Sequence, residues 1–150
     1  MCHIVVHYAR MESKFYGLTT RRKIFPLDAP QFKTHRTEMK KTQQQMAQLL
    51  GVSLKAVQGY EQGWRNIPLS IERQILFLIY QRRAPSGDQK PCWAEKNCPR
   101  QKRALCPAYE LRLGRLCWFV NGTLCDGKPQ QSWEKKIEKC RQCEIFKILL

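Results

Sequence analysis

Between Lys41 and Pro68 the apolar positions Met46, Ala47, Leu49, Leu50, Val52, Leu54, Val57 and Tyr60 fall at helical spacing, and Gly51 interrupts them where a sharp turn is needed. The pattern predicts two short helices joined by a tight turn. Ser53, just past that turn, is placed to accept a hydrogen bond from an unpaired N–H of the second helix, so it is read as a cap. Gly63 is read as the left-handed stop. Upstream, Asp28-Ala29-Pro30 sets an acidic cap before an early proline and predicts a first helix over Pro30–Met39. Downstream, Ile71, Ile75, Leu76, Leu78 and Ile79 predict a closing helix over Leu69–Arg83, with Ser70 as its cap. Phe77 and Tyr80 widen its apolar stripe beyond one face. One reading of that excess is a homodimer contact; the other is cover for the chain's own core or second half. Trp64, in the loop after the second short helix, is read as covering the core edge.

Periodicity stops at Arg82–Pro91, RRAPSGDQKP, a linker composition of prolines, glycine and small polar residues. Beyond it only Trp133 and the turn Glu134–Lys139 read as helical, the lysines 135, 136 and 139 forming a solvated face or a contact to nucleic-acid backbone. Residues 1–28 carry a strand-like patch, Cys2 to Tyr8, and apolar islands at 15–18 and 24–27, and stay unassigned. The expected fold is mainly α: a four- to five-helix domain over 29–83, a linker over 84–91, and a small irregular Cys-rich module over 92–150.

Charge narrows the partners. Twenty-seven Lys and Arg against twelve Asp and Glu leave +15 on 150 residues, and both halves share the excess. Such a balance favours a polyanion, with nucleic acid first and an acidic membrane surface second. No apolar run approaches the roughly 18 to 20 residues that span a bilayer, and no export signal opens the chain, so the expected location is the cytoplasm, without a membrane partner.

The hairpin resembles the helix-turn-helix of the Cro/phage-repressor family. Thr42-Gln43, Ala47, Leu50-Gly51-Val52-Ser53, Val57 and Tyr60-Glu61-Gln62-Gly63 carry the resemblance. It implies that a helix over Leu54–Gln62 enters the major groove of double-stranded DNA, with Leu54, Lys55, Gln58 and Gly59 at the base edges and Ser53, at its start, also among the DNA-binding residues. Lys55 suits guanine O6 or N7, Gln58 suits adenine N6 and N7, and Leu54 suits a thymine methyl unless it joins the core. Gln43 and Gln44 would contact phosphate or brace the readers, and Arg65 would meet phosphate. The run Arg21-Arg22-Lys23 reads as a solvated charge run, with a phosphate-contacting arm as the alternative.

The second half carries different chemistry. Cys92, Cys98, Cys106, Cys117, Cys125, Cys140 and Cys143 crowd into it, while Cys2, His3 and His7 form a much weaker ligand set at the start. With no export signal, reduced thiols are expected, and metal or redox chemistry displaces a disulfide framework. The odd count argues the same way. Cys92-Trp93, Cys98, Cys106-Pro107-Ala108, Cys117-Trp118, Gly122-Thr123-Leu124-Cys125 and Cys140-Arg141-Gln142-Cys143 resemble the two-CW module, a segment appended to bacterial chemoreceptors and other signalling proteins. A subset of four cysteines suits either a structural zinc ion or an iron-sulfur cluster, and the sequence leaves these two open together with a third reading, reversible or simply buried thiols without a metal. Trp93, Trp118 and Trp133 read as core.

No Gly-rich phosphate loop is present, no histidine accompanies the clustered cysteines, and no strand-helix-strand pattern surrounds Cys140-x-x-Cys143, so no enzyme and no small-molecule substrate are expected. The function expected is a sequence-specific transcription regulator with a metal-binding or redox-sensing C-terminal module. The alternative is a signalling adaptor that binds protein through the helical domain and uses the Cys module as a structural zinc site.

Overall fold

The computed structural model describes residues 27–83, 89–130 and 132–147, and the fold is mainly α. The patch at Cys2–Tyr8, the islands at 15–18 and 24–26, the run Arg21-Arg22-Lys23 and residues 84–88 of the linker lie outside the described residues. Among those described there are nine α-helices and no strand.

The first four helices are α1 (Ala29–Glu38), α2 (Gln43–Leu50), α3 (Leu54–Glu61) and α4 (Leu69–Arg83). Local chemistry sets the ends of the first three. Asp28 and Gln31 form a reciprocal capping box on α1, and Thr42 and Gln45 form one on α2. Gly51 ends α2 at φ 67°, a left-handed conformation open to glycine without a Cβ penalty. The Ser53 hydroxyl then accepts from Ala56 N–H at 3.1 Å and starts α3. Glu61 ends that helix, with Gln62 as its cap and Gly63 left-handed beyond. Ser70 is not a cap: α4 begins one residue earlier, at Leu69, and the Pro68 carbonyl takes the first N–H groups.

Phe32, Met46, Val57 and Ile75, one from each helix, are buried at the centre, and Phe32 meets Tyr60 at 5.5 Å between rings. Each such side chain contributes roughly 1.5–3 kcal/mol by leaving water. Leu49 departs from the apolar pattern: it is 44% exposed, because the α2 stripe that meets the core passes through Met46, Ala47 and Leu50. Trp64 departs further, standing 80% exposed rather than covering the core edge.

The Cys-rich half is a set of short helices: α5 (Cys92–Glu95), α6 (Arg100–Ala104), α7 (Pro107–Glu110), α8 (Trp133–Cys140) and α9 (Glu144–Lys147), with a 3₁₀ turn at Cys125–Gly127. Gly114 permits a close crossing there, since a Cβ on it would lie 2.4 Å from Pro91 Cβ and 2.9 Å from the Trp93 ring. The two halves share one core. Trp118, fully buried, meets the rings of Trp133, Phe146, Phe119 and, from α4, Tyr80. Phe77 of α4 packs on Phe119 at 5.3 Å. The excess apolar surface of α4 at Phe77 and Tyr80 therefore faces the chain's own second half.

Candidate functional site

Two sites follow from this arrangement, one on the helical hairpin and one in the Cys-rich half. On the hairpin, Lys55 and Gln58 are exposed on α3, and Leu54 is 36% exposed at its start. Gln44 is exposed on α2 and Arg65 in the loop after α3. Ser53 is exposed too, though its hydroxyl is committed to the cap. Gly59 differs from the other expected readers. It is buried against the Arg65 side chain, whose Cδ would lie 3.0 Å from an added Cβ, and its carbonyl accepts from Arg65 N–H. It therefore lets the loop lie close to α3 instead of presenting a surface.

Gln43 is bound inside the protein. Its amide donates to Glu61 Oε2 at 2.7 Å, and Arg36 donates to both oxygens of the same carboxylate while bonding the Lys41 carbonyl at 2.7 Å. This network ties α1 and the start of α2 to the end of α3. Burial opposes ionisation of Glu61, but the hydrogen bonds from Arg36 and Gln43 outweigh it and hold the carboxyl below its ordinary value. Gln43 thus braces α3. The exposed Trp64 beside Arg65 is the surface residue that apolar patterning misassigns.

In the second half, all seven cysteines line one cavity of about 440 Å³. Short helices and turns deliver them from positions 51 residues apart in sequence, Cys92 to Cys143, and all are free thiols. Trp118, Phe146, Ile145 and Ala108 supply its apolar wall; Lys96, Lys102, Arg103 and Lys139 line it as cations. Among the described residues its one lining carboxylate, Asp126, is already paired with Lys139 at 2.7 Å. Among the described residues no three His, Cys, Asp or Glu side chains are drawn tightly enough together to hold a single metal ion as they stand. The sulfurs surround a volume rather than a point.

The thiols differ in acidity. Cys117, buried, donates to Cys92, which brings the Cys92 thiol down and pushes Cys117 up. Burial raises Cys140 to about 11, and it also raises Cys98. Lys96 is raised chiefly by its electrostatic interaction with Cys143 beside it.

Lys136 is the residue that sequence reading misplaced most. Expected on a solvated or DNA-facing helix surface with Lys135 and Lys139, it is 1% exposed and donates to the Thr123 hydroxyl. Thr123 lines the cavity, and its hydroxyl lies 3.7 Å from the Cys125 sulfur. Among the described residues no carboxylate pairs with Lys136. A buried lysine needs polar neighbours, and beyond Thr123 it interacts electrostatically with Cys92 and Cys140 of the cavity. The α8 pattern held a signal for this: Trp133, Lys136, Ile137 and Cys140 recur at i, i+3, i+4 and i+7, so Lys136 shares the buried face.

No protein-family model matches this chain, and neither a curated protein nor a solved structure matches it significantly. The resemblances to the repressor helix-turn-helix and the two-CW module therefore rest on the residues that carry them.

Proposed function

We propose that this protein is a sequence-specific DNA-binding transcription regulator whose Cys-rich half holds an iron-sulfur cluster. The observation that carries the cluster reading is the single cavity lined by seven free cysteines and bordered by cations, with Lys136 buried behind Thr123. The donor set fits a thiolate-ligated, anionic group several ångströms across better than one zinc ion, which draws four ligands to a point. Four of Cys92, Cys98, Cys106, Cys117, Cys125, Cys140 and Cys143 would hold it. Bound there, the cluster supplies a centre whose charge and integrity respond to oxidants. The protein's own residues supply thiolates, cationic compensation and an apolar wall against water.

DNA reading is supported by the exposed face of α3 with Lys55 and Gln58, the flanking Arg65 and Gln44, and the strong basic excess of the chain. Lysines and arginines attract phosphate in a salt-dependent way, and the base-edge contacts add discrimination. The test is selection of a preferred duplex from a random pool, followed by fluorescence anisotropy over a range of salt. The expected result is a steep log–log salt dependence, with Lys55→Ala weakening the preferred duplex by about 1–3 kcal/mol while unrelated duplexes change far less. Equal affinity for every duplex, before and after the substitution, contradicts the reading.

A further inference from the structure

The segment Cys140-Arg141-Gln142-Cys143 serves two neighbours at once. Its cysteines line the thiol cavity, while the Arg141 guanidinium lies 3.6 Å from the carboxylate of Glu72 on α4. Glu72 is fully buried and the Arg141 side chain is only 10% exposed. The next residue of α4, Arg73, places its guanidinium 4.3 Å from the ring centre of Trp133. Trp133 opens α8 and Arg141 caps its end, so the first turns of α4 hold α8 at both ends. Between those ends, Cys140 and, through Thr123, Lys136 address the cavity. On the other side α4 packs against α2 of the hairpin.

The pair is a sensitive one. At 3.6 Å it is longer than a charge-assisted hydrogen bond, which closes to about 2.7–2.9 Å. Burying two opposite charges costs free energy that their attraction repays only in good geometry, so the contact depends on where the Cys140–Cys143 turn holds Arg141. A small displacement of the Cys140–Cys143 turn leaves a buried carboxylate without its cation.

We infer that the Arg141–Glu72 contact transmits the state of the thiol cavity to the helix-turn-helix: a thiophilic centre that engages Cys140 and Cys143 holds Arg141 against Glu72 and fixes α4 on α2, and loss of that engagement releases it. The inference rests on the reading of the cavity as a thiolate-ligated site. It assigns the regulation of that site to a named ion pair, and DNA is not needed to test it.

The test is hydrogen exchange, followed by mass spectrometry, on the full reduced chain before and after anaerobic incubation with ferrous iron and sulfide, with bound iron and sulfide measured separately. The expected result is that incorporation slows exchange across Leu69–Ile75 about tenfold, the size of an ordinary coupling between sites. Glu72→Gln removes that response while iron and sulfide uptake and helicity persist. The double variant Glu72→Met with Arg141→Met, which replaces the pair by apolar volume, keeps the fold if the single change does not, and removes the response as well. Iron and sulfide uptake with no change in α4, or variants that respond like the parent, overturns the coupling alone. No uptake of iron and sulfide overturns the reading of the cavity and the coupling with it.

Discussion

Glu61 shows how much one side chain decides at the hairpin. Its side chain is 3% exposed, and it accepts from Arg36 and Gln43. Because its folded pKa lies below the unfolded value, its contribution to stability is present above the ordinary carboxylate range and is lost as pH falls through the folded value. Glu61→Gln should therefore flatten the fall in thermal midpoint between about pH 5 and pH 3, and parallel pH profiles for parent and variant would contradict the assignment. The sequence made Gln43 legible as a brace or a phosphate contact, but not which, because the choice depends on Glu61 and Arg36 arriving from other helices. Lys55 and Gln58 were legible as exposed positions because they lie opposite the Val57 and Tyr60 stripe. Lys136 was missed because lysine composition suggests solvent, although its place on the α8 stripe says otherwise.

Elements were legible in proportion to their length. The helices α1 to α4 follow from apolar spacing and from the caps read at Asp28 and Ser53, and their observed ends fall within a residue or two of the expected ones; the Thr42 cap emerged only in the structure. Helices of four or five residues such as α5, α6, α7 and α9 complete barely a turn, so no stripe recurs within them and the sequence shows only irregularity. Their order comes from tertiary contacts such as Cys92 N–H to the Gly114 carbonyl at 2.9 Å. That dependence makes Gly114 a sensitive position. Gly114→Ala drives a methyl into Pro91 and the Trp93 ring, and it should destabilise the chain by about 1–3 kcal/mol, read from chemical denaturation. An unchanged midpoint would show that the Pro91 turn yields without cost.

Across the whole molecule, aromatic contacts of α4 with Trp118 and Phe119 unite the two halves, the outcome that one of the two readings of the wide α4 stripe describes. The Cys-Trp dipeptide at Cys117-Trp118 places a thiol in the cavity wall and an indole against Tyr80 of α4. Only the α4 side of these contacts, where Tyr80 widens the apolar stripe, leaves a periodic signature. A continuous core predicts a single cooperative unfolding transition, with Trp118→Ala lowering stability by about 3–5 kcal/mol in that one transition. Two resolved transitions, only one of them moved by the substitution, would separate the halves again. The same continuity joins the wall of the thiol cavity to α4 and the hairpin within one chain. Among the described residues no helix is long and apolar enough to cross a membrane. The measurement that tests the central claim most directly is anaerobic purification, with iron and acid-labile sulfide counted per chain and the visible spectrum taken before and after air. The account predicts iron and sulfide in matching amounts and a visible band that bleaches on oxidation; one zinc per chain, without sulfide or colour, would contradict it.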